Sequence, residues 1–261
     1  MPYKDDIFSF NIHFPAMILE LLVFVFSLII AITIFFKWKE RKTIATLYLA
    51  IAILSISLAV FIAFTGLLSW FFKTSFSVFP YVTSPPYYPF TLPFGYSLVV
   101  IYDIFLFLFT IQIFLDKNDK KVIPIVILGV LMVILLWLPT NYWGVDTLLI
   151  DPPSTRTLVM AVFLFYNVII YFLLFYYAFK ESKLTEQKEH RVGFQLIALG
   201  QIANILIFIF FLGDAILLLF NPGSPGFSIF VYLAWINALI ANFLFYLGFI
   251  LPTWFRNYIK K

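Results

Sequence analysis

Three carboxylates stand where carboxylates are costly. Glu20 lies in "AMILELLVF", Asp103 in "VVIYDIFLF" and Asp214 in "FFLGDAILLLF". An ionised group near a bilayer centre costs at least about 2.5 kcal/mol, so an acid in such a run signals ligand binding, proton transfer or pairing with a cation. Five amides join them in apolar runs: Asn167, Gln201, Asn204, Asn237 and Asn242. Amides of this kind hydrogen-bond between membrane helices, for about 0.6 kcal/mol each. Arg156 opens an apolar run and is the cation placed to pair with Asp103 or Asp214. The candidate ligand-binding set is Glu20, Asp103, Arg156, Asn204, Asp214 and Asn237. A small cationic or amine-bearing ligand suits its carboxylates.

Much other chemistry is excluded. The chain has no cysteine, which removes disulfides, thiolate metal sites and thiol nucleophiles. Its two histidines, His13 and His190, lie at helix starts on opposite faces of the membrane and cannot share one metal. No HExxH, GxSxG or Walker-type loop is present. No lysine lies between positions 226 and 251, where a retinal Schiff base would need one. The expectation is no metal, no cofactor, no nucleic acid and no enzymatic activity.

Composition sets the elements that must hold the acids. Of 261 residues, 63% are hydrophobic and 11% charged, against roughly 25% charged in soluble domains. This much apolar surface belongs in a lipid bilayer. About 20 apolar residues cross the hydrocarbon as a helix. Seven segments qualify: Pro15–Trp38, Thr43–Phe72, Gly95–Leu115, Val122–Trp137, Arg156–Phe179, Val192–Phe220 and Gly226–Leu251. The fourth is short and bracketed by Pro124 and Pro139. None alternates in polarity as barrel strands do. The fold class is therefore an all-α integral membrane protein, a single domain over residues 1–261 forming a seven-transmembrane-helix bundle.

Orientation follows from lysine and arginine, which concentrate in cytoplasmic connections. Fourteen of the 17 lie in "KWKERK", "DKNDKK", "KESKLTEQKEHR" and the tail after Leu251, all on one side of a seven-span chain. The expected protein is multi-pass in the cell membrane, N-terminus outside and C-terminus inside. The start of the chain lacks the pattern of a cleaved signal, so the first run is expected to remain as a helix. Two outer segments, Lys73–Gly95 and Leu138–Thr155, mix proline with aromatics and would cap the bundle or lid an outward pocket. At about 1.5 Å per residue, Glu20, Asp103 and Asp214 all fall in the outer half at similar depth. Helical periodicity puts Gly200 and Ala203 on the Asp214 face, which aims that acid into the bundle.

The layout resembles the seven-helix membrane sensor region of prokaryotic histidine kinases, in a stand-alone form without the kinase. A basic turn, "KWKERK", joins the first two helices. A basic run with an early glycine, "KEHRVGFQLIALG", opens the sixth. The seventh ends in "GFILPTWFRNYIKK". The resemblance implies a receptor-like sensor that hands its signal to a separate cytoplasmic or membrane protein. Two other roles fit the sequence. An accessory subunit of a membrane complex would pair the acids with a partner's bases. A proton-coupled transporter would titrate them, but shows no internal repeat.

Overall fold

A computed structural model describes residues 10–76, 88–115, 122–138, 153–220 and 228–260. Every described element is helical: α1 (Phe10–Arg41), α2 (Ile44–Phe76), α3 (Tyr88–Phe114), α4 (Val122–Leu136), α5 (Pro153–Leu184), α6 (Lys188–Phe220), α7 (Ile229–Phe245), a π turn (Tyr246–Ile250) and α8 (Thr253–Lys260). Six helices, all but α4 and α8, are long and apolar enough to cross a bilayer. The α4 helix, at 15 residues, spans about 22 Å. That is short of the roughly 30 Å hydrocarbon core.

Helices α1, α2, α3, α5 and α6 run past the segments read from hydropathy, because helix does not stop where apolarity stops. The largest difference is in α3. It begins at Tyr88, not Gly95, and carries Pro93 within it. Four residues on, the Ser97 hydroxyl donates to the Pro93 carbonyl at 2.7 Å.

Helices α1, α2, α3, α5, α6 and α7 pack in that order as a ring that closes between α7 and α1. The α4 helix lies outside the ring across α3 and α5. It is buried only along Gly129, Met132 and Leu136. A methyl on Gly129 would stand 2.8 Å from Ile104 Cδ1 and 2.8 Å from the Tyr166 hydroxyl, so close approach requires glycine there.

Polarity is inverted relative to a soluble protein. Leu22, Ile29, Phe36, Ile127, Phe165 and Phe172 are exposed, while Glu20, Asp103, Asn167 and Gln201 are buried. An outer surface so apolar has lipid as its solvent. The helices that carry it mark a multi-pass membrane protein.

One end of the ring gathers the basic turns. Between α1 and α2, Lys42 adopts φ 56° and its amide donates to the Trp38 carbonyl at 2.7 Å. At the end of α7 the chain loosens into the π turn and reverses at Leu251 (φ 46°, ψ 67°), whose amide donates to the Leu247 carbonyl. Pro252 follows and α8 leaves in a new direction. A left-handed residue and then proline is a usual way to end a helix.

Candidate functional site

Asp103 is completely buried at the centre of α3, and neither of its carboxylate oxygens has a hydrogen-bond partner. Three tyrosines share its core: Tyr102, the preceding residue on α3, and Tyr166 and Tyr171 of α5. The Tyr171 hydroxyl lies beside the carboxylate. A phenol has one proton, however, and Tyr171 donates it to Asn167 Oδ1 at 3.1 Å. Asn167 in turn donates to the Phe163 carbonyl of its own helix. Tyr166 points its hydroxyl towards α4, 3.4 Å from the Ile125 carbonyl.

The second half of the cluster reaches α6. Asn204 Nδ2 donates to the Tyr102 hydroxyl at 3.0 Å, a hydrogen bond between α3 and α6. Gln201 Oε1 stands 3.5 Å from the same amide. The Gln201 side chain is fully buried and its Nε2 has no partner. Most buried polar groups in native proteins are hydrogen-bonded. Three such atoms without a protein partner in one cluster single it out as the candidate site.

Aromatic rings lead from this cluster towards the end of the ring opposite the basic turns. Tyr102 lies 6.1 Å from Tyr171, Tyr171 5.8 Å from Phe208, Phe208 6.0 Å from Phe163, and Phe163 4.9 Å from Tyr96. The series runs up the seam between α3, α5 and α6.

Asp214 is buried on the face that also carries Gly200 and Ala203, and that face packs on α7. Its Oδ1 accepts the Ser228 amide at 2.9 Å, and the Ser228 hydroxyl accepts the Phe230 amide at 3.2 Å. Asp214 thus satisfies amide donors where α7 begins, in a place where negative charge is favoured.

The expected common layer of three acids does not form. The level of Asp103 on α6 is marked by Asn204, ten positions from Asp214, or about 15 Å along the helix. The depth estimate failed because it measured Asp103 from Gly95, whereas α3 starts at Tyr88. Glu20 is buried on α1 with Oε2 unpartnered. Nearby, Leu19 and Val23 pack with Trp235 of α7, whose Nε1 is also unpartnered. Asn237 donates to the Leu233 carbonyl of its own helix and joins none of these groups. The Arg156 and His13 side chains, residues 77–87 of the first outer segment and residues 139–152 of the second lie outside the described residues. Arg156 stands eleven positions from Asn167 along α5. His190 is exposed near the start of α6.

Sequence reading missed the three tyrosines. The signal was their place: Tyr102, Tyr166 and Tyr171 sit in mid-span, where a phenol needs a buried partner.

The basic end carries its own assembly. Glu189, in the first turn of α6, pairs with Arg256 at 3.1 Å and Lys260 at 3.2 Å on α8. Lys37 of α1 donates to the Ile250 carbonyl at 2.8 Å, so the π turn is held from α1 as well. Beneath it, a methyl on Gly193 would lie 3.3 Å from the Gly248 carbonyl oxygen, which places α6 and the π turn backbone to backbone.

Among the described residues no group of three or more His, Asp or Glu side chains could hold a metal ion. Comparison with protein-family models, curated proteins and solved structures finds no match. What fold and composition define is a class: an all-helical, multi-pass membrane protein with a buried acidic and phenolic cluster in its ring.

Proposed function

We propose that the chain is a seven-span membrane sensor, N-terminus outside, that binds a small ligand at Asp103 and reports occupancy through α6 to α8 at the cytoplasmic face. One observation carries this reading. Asp103 is an unpartnered buried carboxylate whose neighbour Tyr102 is hydrogen-bonded to Asn204 of α6. The same helix grips α8 through Glu189. The segregation of basic residues supports the orientation. A cytoplasmic partner would read α8, whose Trp254 and Tyr258 are exposed.

The absence of native cysteine allows single-cysteine labelling. A spin label at Tyr258→Cys, in the whole protein in lipid nanodiscs, reports on α8. Asp103→Asn should change its mobility or its distance to a second label. An unchanged spectrum would sink the sensor reading. For topology, a membrane-impermeant maleimide should label Ser84→Cys on intact cells and spare Lys183→Cys.

A further inference from the structure

We infer that the Asp103 cluster is a binding site for one alkali-metal cation of sodium size. The inference names the ligand of the proposed sensor site, and in that respect rests on the sensor reading.

Charge balance comes first. Asp103, when ionised, would bring one negative charge into a fully buried place, and no described cation stands beside it. A single positive charge balances it. A divalent ion would leave one net charge in a low-dielectric interior, which is costly. The donor set comes second. Hard cations take oxygen ligands, and here the carboxylate stands beside the Tyr171 hydroxyl oxygen and, 3.1 Å further on, Asn167 Oδ1. Tyr171 donates its proton to Asn167, which leaves its oxygen lone pairs available to a cation. The chain has no cysteine and His190, the histidine described, is exposed near the start of α6, which disfavours soft and borderline metals. Size comes third. Tyr171, Leu106 and Ile170 are fully buried, and the neighbouring rings lie within 6.1 Å of one another. A bare ion fits such packing where an organic ammonium would need a cavity.

Occupancy would reach α6 by a short path. A cation drawing on the carboxylate and Tyr171 sets the position of α3 against α5. Tyr102, the next residue, carries that position to Asn204.

The test uses the whole protein in detergent or nanodiscs, with sodium chloride exchanged for choline chloride at constant ionic strength. Sodium should raise the unfolding temperature saturably, potassium should do so less, and Asp103→Asn should remove the difference between sodium and choline. Radioactive sodium should be retained at one ion per chain by the wild type and at background by Asp103→Asn. Should Asp103→Asn fail to fold, Tyr171→Phe serves instead, with affinity reduced about tenfold for one neutral oxygen lost. Equal unfolding temperatures in sodium and choline overturn the inference. So does a response to pH with none to sodium, which would make the proton the ligand. The two readings fail separately. Sodium binding with a silent α8 label removes the sensor, whereas an α8 response to Asp103→Asn without sodium binding removes only the ion.

Discussion

Gly248→Ala should destabilise the protein, and Gly95→Ala should not. A methyl on Gly248 would stand 2.8 Å from Ile197 Cγ1, 3.0 Å from the Gly193 carbonyl oxygen and 3.2 Å from the Ile197 amide nitrogen. Two of those three atoms are backbone, so relief requires α6 and the π turn to part. Overpacking of this kind costs about 1–3 kcal/mol. The helical preference of alanine over glycine returns about 0.8–1 kcal/mol. The net expectation is a loss of roughly 1 kcal/mol, with an upper end near 2. At Gly95 the nearest atom is the Ala59 carbonyl oxygen at 3.6 Å, an ordinary contact. There the alanine preference stands alone, and a gain of about 0.5–1 kcal/mol is expected. Equilibrium unfolding in mixed micelles with increasing dodecyl sulfate measures both. Comparable losses in the two variants would refute the argument, because close backbone approach at Gly193 and Gly248 would then not distinguish that junction. Opposite signs would establish it as a tight contact.

Three further outcomes follow from the same geometry. In a double-mutant cycle, Tyr102→Phe and Asn204→Leu should each cost about 0.6–1.7 kcal/mol with a coupling near 0.6; zero coupling would dissolve the link between α3 and α6. Asp214→Leu removes the acceptor of the Ser228 amide and should cost about 1 kcal/mol, as lost capping does, with faster hydrogen exchange in the first turn of α7. Asp214→Asn keeps an acceptor oxygen and should lose far less; equal losses would show that charge, not the acceptor, matters there. Glu189→Gln should change stability by less than about 1 kcal/mol, since its partners are exposed, yet should loosen a label at Tyr258→Cys. High salt should mimic it in the wild type, and an unmoved label would mean that α8 is held by something else.

Composition and apolar length made the helical class and most of the elements legible, because a bilayer permits few ways to bury backbone polar groups. Boundaries were less legible. Nothing in local hydropathy told that α3 continues through Pro93 back to Tyr88, and that error put Asp103 in the wrong layer. The face of Asp214 could be read, since Gly200 and Ala203 mark a close helix contact. Its role could not, because Ser228 becomes its partner only when α7 folds back beside α6. The cluster around Asp103 was half legible. The acid and Asn204 stood out as polar atoms in apolar runs. Tyr102, Tyr166 and Tyr171 hid among a 21% aromatic background, and only packing separates a buried phenol from one at the interface.

The position of α8 argues that its attachment matters more than its own stability. Eight residues are too few for an isolated helix to persist in water. It is held through Glu189 at the start of α6, and the π turn leading into it is held by Lys37 near the end of α1. Those two helices belong to different parts of the ring, with α7 between them. A relative shift of α6 and α1 cannot be absorbed without straining one hold or the other. The π turn is where such strain would be taken up, since its hydrogen-bond ladder is already widened, and π turns inside helices commonly mark functional positions. Asn204 lies fifteen positions from Glu189 along one unbroken helix, so a displacement set at Tyr102 arrives at α8 about 22 Å away by rigid-body motion alone. A chain of small side-chain changes is not required. That is why the hydrogen bond between Tyr102 and Asn204, rather than any residue on α8, is the place where the proposed coupling should be cut first.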